Sequence, residues 1–121
     1  MRKNNLRDYA TAAFRFWGRC GSPSVDEIKS GKHEWDKAER LDLMACAMTF
    51  TLLKKRGDEL ICDAVRDVYM TDPDNTPRRG DISAGVIRFS LKVYVSERQV
   101  YNWLRDANTV FGKYRNLRFE K

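Results

Sequence analysis

With 121 residues, 42% of them apolar and 33% charged, the chain can build one small hydrophobic core under a charged surface. That is the size of one domain, or of a body with a small appended module. A formal charge of +6 favours a polyanionic partner, with nucleic acid ahead of an anionic membrane surface. No stretch approaches the ~18 consecutive apolar residues of a bilayer span. The start, Met1 to Arg7, is basic but lacks the apolar run and cleavage site of a signal peptide. No membrane partner is expected, and the expected location is cytoplasmic.

In chain order, Asn4 or Asn5 can cap a first helix running to about Trp17. Leu6, Tyr9, Ala10, Ala13, Phe14 and Trp17 recur on one side of it, and Gly18, Gly21 and Pro23 end it. This aromatic side is expected to be core; the competing reading is a partner surface. Ser24 and Glu27 have capping-box spacing and open a short helical turn before Gly31. A longer helix follows from about Glu34 to Arg56. Between Leu43 and Leu53 it is apolar nearly all round, as expected for a buried central post. Met44 and Met48 read as gap-fillers. Lys54, Lys55 and Arg56 suit the carbonyl end of that helix, and Gly57 suits a left-handed cap.

Asp58 is the expected cap of the next helix, which runs to about Met70 with Leu60, Ile61, Ala64, Val65, Val68 and Tyr69 inward. Thr71 to Gly80 holds two prolines and reads as the hinge loop. Arg78 and Arg79 within it are expected to be solvated, and Gly80-Asp81 reads as a turn into a helix N-cap.

The three cysteines, Cys20, Cys46 and Cys62, show no CxxC spacing. Cys46 and Cys62 fall in apolar helical patterns, so buried reduced thiols are expected. His33 is the single histidine and lies beside no cysteine, which argues against a metal site. No Ser–His or Cys–His pair and no phosphate-cradling glycine loop is present. The chain is therefore expected to be neither an enzyme nor a cofactor carrier.

The most informative stretch is Phe89 to Arg105. A helix from about Ile82 to Val93 meets a corner at Tyr94-Val95, and Ser96 with Gln99 forms a second capping box that opens the next helix. Phe89, Val93, Val95, Val100 and Trp103 are spaced so that the two helices bury facing sides, as in a helix-turn-helix. Glu97, Arg98, Tyr101, Asn102 and Arg105 are expected on the outer side. Arg, Asn and Gln side chains, including Gln99, can pair with purine edges. The second helix keeps its apolar spacing through Leu104, Ala107, Val110, Phe111 and Tyr114, so it runs about 20 residues or ~30 Å, with Gly112 weakening its last turn. Its end is basic, with Lys113, Arg115, Arg118 and Lys121.

The segment Asp58–Leu117 resembles the C-terminal part of phage and prophage late transcriptional regulators of the RinA/ArpU type, which in turn resemble the promoter-reading region of sigma factors. Ala64-Val65, Val68-Tyr69, the run Tyr94 to Leu104, and Phe111 to Leu117 carry the likeness. The resemblance implies that Ser96, Glu97, Arg98, Tyr101, Asn102 and Arg105 lie in or beside the major groove, with Val95, Val100 and Trp103 holding the corner. The position where that family often has glycine is Tyr94 here, which implies a strained backbone or a different turn.

The expectation is an all-α chain: an N-terminal helical body over 1–71, then a helix-turn-helix over 81–121 with a long last helix, 58–71 belonging with either part. Its expected function is sequence-specific binding of double-stranded DNA as a phage-type transcriptional regulator. Ser96, Glu97, Arg98, Gln99, Tyr101, Asn102 and Arg105 would face bases; Arg88, Lys92, Lys113 and Arg115 would face phosphates. The rivals are a small terminase-like packaging subunit and a module that grips RNA polymerase or a sigma factor. The second rival requires Phe14, Trp17 and Trp35 to be partly exposed. RNA polymerase and a second copy of the chain are the further candidate partners.

Overall fold

A computed structural model describes residues 5–31, 34–71 and 80–116. The Asn4 cap, His33, the hinge-loop residues 72–79 with Arg78 and Arg79, and the basic end at Arg118 and Lys121 lie outside the described residues. Six α-helices, and no strand, occur among the described residues: α1 (Asn5–Arg19), α2 (Val25–Lys29), α3 (Lys37–Lys55), α4 (Glu59–Tyr69), α5 (Asp81–Val93) and α6 (Glu97–Arg115). None of these helices is long and apolar enough to cross a membrane.

Helix α1 turns Ala10, Ala13, Phe14 and Trp17 into the core. The Trp17 indole N–H donates to the Pro23 carbonyl at 2.9 Å, which satisfies the polar end of a buried ring. Gly21, at φ +83°, ends the helix, with the Ser22 N–H bonded back to the Trp17 carbonyl. Gly18 does not terminate it: it stays helical and lets the Met70 side chain approach. The Ser24–Glu27 capping box forms in both directions and opens α2, whose Ile28 is buried.

Helix α3 begins later than the expected Glu34. Its start is fixed by a second reciprocal box, in which the Glu39 N–H donates to Asp36 Oδ1 at 2.8 Å and the Asp36 N–H to Glu39 Oε1 at 2.9 Å. Leu43, Ala45, Cys46, Ala47, Phe50 and Leu53 are buried along it, and it packs on α1, α2, α4 and α6. Burial pushes the Cys46 thiol well above its ordinary pKa. Gly57 takes the left-handed cap at φ +82°.

Two expectations at α4 fail. Asp58 precedes the helix but its carboxylate makes no cap bond; it accepts from Arg56 at 2.9 Å instead. Arg56 also reaches Asp106 of α6 at 3.1 Å, so this cation ties two helices rather than only complementing a dipole. Leu60 is 45% exposed, because it sits about 100° around the helix from the buried Ile61.

The core joins all six helices in one cluster. Phe14 is its hub: its ring lies 5.9 Å from Phe50 of α3, 6.2 Å from Tyr69 of α4 and 5.5 Å from Phe111 of α6. Helix α6 packs against α1, α3, α4 and α5, so the core runs continuously across the 71/81 boundary. Gly112 of α6 is buried against Leu6, so its missing Cβ makes room for α1. Phe14→Ala removes the ring that meets three other helices and is expected to cost about 3–5 kcal/mol, read as a lowered urea midpoint with an unchanged denaturant slope.

Candidate nucleic-acid interface

Helices α5 and α6 meet at the three residues Tyr94, Val95 and Ser96. Tyr94 adopts the left-handed conformation, φ 60° and ψ 46°, with its N–H bonded to the Ser90 carbonyl; the Val95 N–H reaches the same carbonyl at 3.1 Å. A β-carbon is disfavoured there by about 1–2 kcal/mol, yet the tyrosine ring is 93% exposed and gains nothing from the core in return. Ser96 is extended, and its hydroxyl accepts from the Gln99 N–H at 3.1 Å. Only this half of the expected box forms. Beneath the corner Phe89 and Val100 are buried, and Phe89 meets Trp103 edge-on at 6.4 Å. Val93, Val95 and Trp103 pack on the core from its margin.

The seven residues expected to face bases are all exposed, but they do not share one side. Arg98, Asn102 and Arg105 recur at four- and three-residue steps and form one stripe, continued by Thr109, whose hydroxyl bonds its own helix at the Arg105 carbonyl. Those three side chains have no hydrogen bond or ion pair among the described residues. Ser96 is committed to its cap. Glu97 lies in the first turn, where a carboxylate complements the amide end of the helix. Gln99 flanks the stripe beside Asn102. Tyr101 leans toward α5, its hydroxyl 3.4 Å from Ser83 Oγ.

Of the four cations expected at phosphates, three are engaged. Arg88 donates to the Asp67 carbonyl at 3.0 Å and Lys92 pairs with the Asp67 carboxylate at 3.0 Å, both holding α5 to α4. Arg115 Nε donates to Asp42 Oδ1 at 2.7 Å with both side chains about four-fifths buried (18% and 21% exposed). The Tyr9 hydroxyl donates to the same oxygen at 2.7 Å. The Asp42 bond raises the Arg115 pKa above its ordinary value, and burial followed by the Asp42 bond raises that of Tyr9. This triad pins the end of α6 to α3 and α1. Lys113 is exposed and without a partner among the described residues.

A polar pair went unnoticed in the sequence. Asn108 is buried on the apolar side of α6, where its amide donates to the Tyr69 hydroxyl at 3.0 Å. The signal was present: an amide between Leu104 and Phe111 at helical spacing needs a buried partner.

No family model, curated protein or solved structure matches this chain.

Two outcomes follow from the geometry. Asp42→Ala strands a largely buried guanidinium and is expected to cost about 2–3 kcal/mol, with Asp42→Leu/Arg115→Met recovering most of it in a thermodynamic cycle of urea melts. Tyr94→Gly removes the left-handed penalty without removing packing and is expected to stabilise by about 0.5–1 kcal/mol, seen as a raised urea midpoint.

Proposed function

We propose that the chain is a sequence-specific double-stranded DNA-binding transcriptional regulator, in which α5, the Tyr94–Ser96 corner and α6 act as a helix-turn-helix. The observation that carries this reading is the stripe of Arg98, Asn102 and Arg105. It stands unpartnered among the described residues, on the first turns of a helix anchored from beneath by Val100 and Leu104. Cations and amides held outward on a fixed helix are suited to reading base edges in a major groove. Arg98 and Arg105 each fit the two acceptors of guanine, and Asn102 fits the donor and acceptor of adenine. Seven residues of helix span ~10 Å, about three steps of a strand at ~3.4 Å each. Lys113 adds phosphate contact further along the helix. With Lys92 and Arg115 already matched by carboxylates, the salt dependence of binding should be shallow for a chain of charge +6. The resemblance to phage late regulators agrees with this reading, and we propose a phage or mobile element as the source.

A second reading has one observation in its favour. Ile87 and Leu91 of α5 and Tyr94 of the corner that follows it are exposed apolar side chains, with Leu91 71% exposed; such residues suit a protein contact, for which RNA polymerase is the candidate. Of the aromatic residues that reading required to be partly exposed, Phe14 and Trp17 are buried, whereas Trp35 is half-buried at the margin of the core.

Selection from a random duplex library followed by Arg98→Ala/Asn102→Ala tests the proposal. The double variant is expected to lose preference for the selected site by 10-fold or more while still binding random duplex. Unchanged preference would remove the stripe as the reader and leave Ile87, Leu91 and Tyr94 as the contact surface.

A further inference from the structure

Beside the stripe, α6 forms one wall of a cleft of about 330 Å³, within the range of small-ligand sites. Leu6 of α1, Ile82 of α5 and Leu104 of α6 supply its apolar surface, and the Tyr101 ring adds a flat one. The bonded pair of Tyr69 and Asn108 supplies a polar surface already satisfied within itself. Burial raises the Tyr69 pKa against its hydrogen bonds to Asn108 and Thr11, with the charges of Arg7 and Asp8 acting in opposite directions, so the phenol stays protonated. The two charged residues lining it are Arg7 and Arg105, and no carboxylate lines it. Arg7 has Asp8 at 3.5 Å, with both side chains about half or more exposed, a pairing of little strength. Arg105 has no partner among the described residues.

Two guanidinium groups line one partly apolar cleft whose lining holds no carboxylate, and Asp8 pairs only loosely with Arg7, so the cleft favours an anion. A dianionic phosphate satisfies both planar forks at once, which a carboxylate of single charge does less well. We propose that this cleft binds a nucleotide through its terminal phosphate, with Arg7 and Arg105 on the phosphate and the flat base against Tyr101 and the aliphatic wall. The nucleotide is either free or the phosphorylated end of a strand; the recognition chemistry is the same. The cleft shares Arg105 with the stripe, but Arg7 belongs to α1 and lies off it, so the Arg7 variants test the cleft separately.

The test is calorimetric titration of the full chain with the four deoxynucleoside 5′-monophosphates, the matching nucleosides and inorganic phosphate. Short single strands with and without a 5′-phosphate complete the set. Binding of a nucleotide is expected, with the nucleoside at least 10-fold weaker. Arg7→Ala should weaken the nucleotide at least 10-fold with an unchanged urea midpoint, and Arg7→Lys should restore part of it. A 5′-phosphorylated strand that binds more tightly than its monophosphate, in an Arg7-dependent way, assigns the site to strand ends. Tighter binding of the monophosphate assigns it to a free effector. No binding by any phosphorylated probe at millimolar concentration, equal binding with and without phosphate, or affinity indifferent to Arg7→Ala would overturn it. None of these failures bears on Arg98 and Asn102, whose own variant is judged by site preference.

Discussion

The packing of the Phe14 ring among Phe50, Tyr69 and Phe111 is the constraint that makes the outer side of α6 meaningful. Four helices meet at that ring, and α6 is held there by its second half. Burial is directional along a helix: once Phe111, Ala107 and Leu104 are committed inward, the 3.6-residue repeat forces Arg98, Asn102 and Arg105 outward together. The stripe is thus a consequence of the core, and a change in the core that rotated α6 would scatter it.

The polar network tightens the same arrangement from its edges. Arg56 bridges Asp58 and Asp106 across the start of α4 and the middle of α6, both pairs too exposed to contribute much stability. The Asp42 carboxylate does more, because it accepts from Arg115 and Tyr9 together in a largely buried setting. Arg15 is buried with a bond to the Tyr69 carbonyl at 2.9 Å, tying α1 to the C-terminal end of α4. Those bonds orient the helices more than they hold the chain folded, since the apolar cluster carries most of the burial.

Local signals in the sequence were readable where a short-range rule acts alone. The Ser24–Glu27 box, the Gly57 cap, the apolar breadth of α3 and the length of α6 all follow from neighbours within a turn or two. The departure at Tyr94 was also readable, since a non-glycine residue at a corner usually taken by glycine leaves a left-handed backbone as one of two outcomes. What sequence reasoning missed depends on partners distant in the chain. Arg115 looked like a free cation because Asp42 lies 73 positions away. Asp58 is the exception, since its competitor Arg56 is a close neighbour in the chain and cap spacing alone does not show which of the two bonds its carboxylate makes. Gly18 reads as a helix end and Gly112 as a weak turn, whereas each stays helical and makes room for a side chain distant in the chain, Met70 and Leu6 respectively. Tyr101 lies off the stripe, with its hydroxyl toward Ser83 of α5, a contact 18 positions away in the chain. That Arg98, Asn102 and Arg105 are exposed on one side was legible because only helical period sets it.

Helix α6 is one continuous rod of 19 residues, clamped at its far end by Arg115 and Phe111 and free of hinges between that clamp and its exposed first turns. Val100 and Leu104 are buried beneath those first turns as well, so the rod is seated on the core along its whole length. Whatever molecule lies along those turns meets a template of fixed pitch, so little disorder is surrendered on docking. Any bending or twisting needed for a close fit must then fall on the visitor.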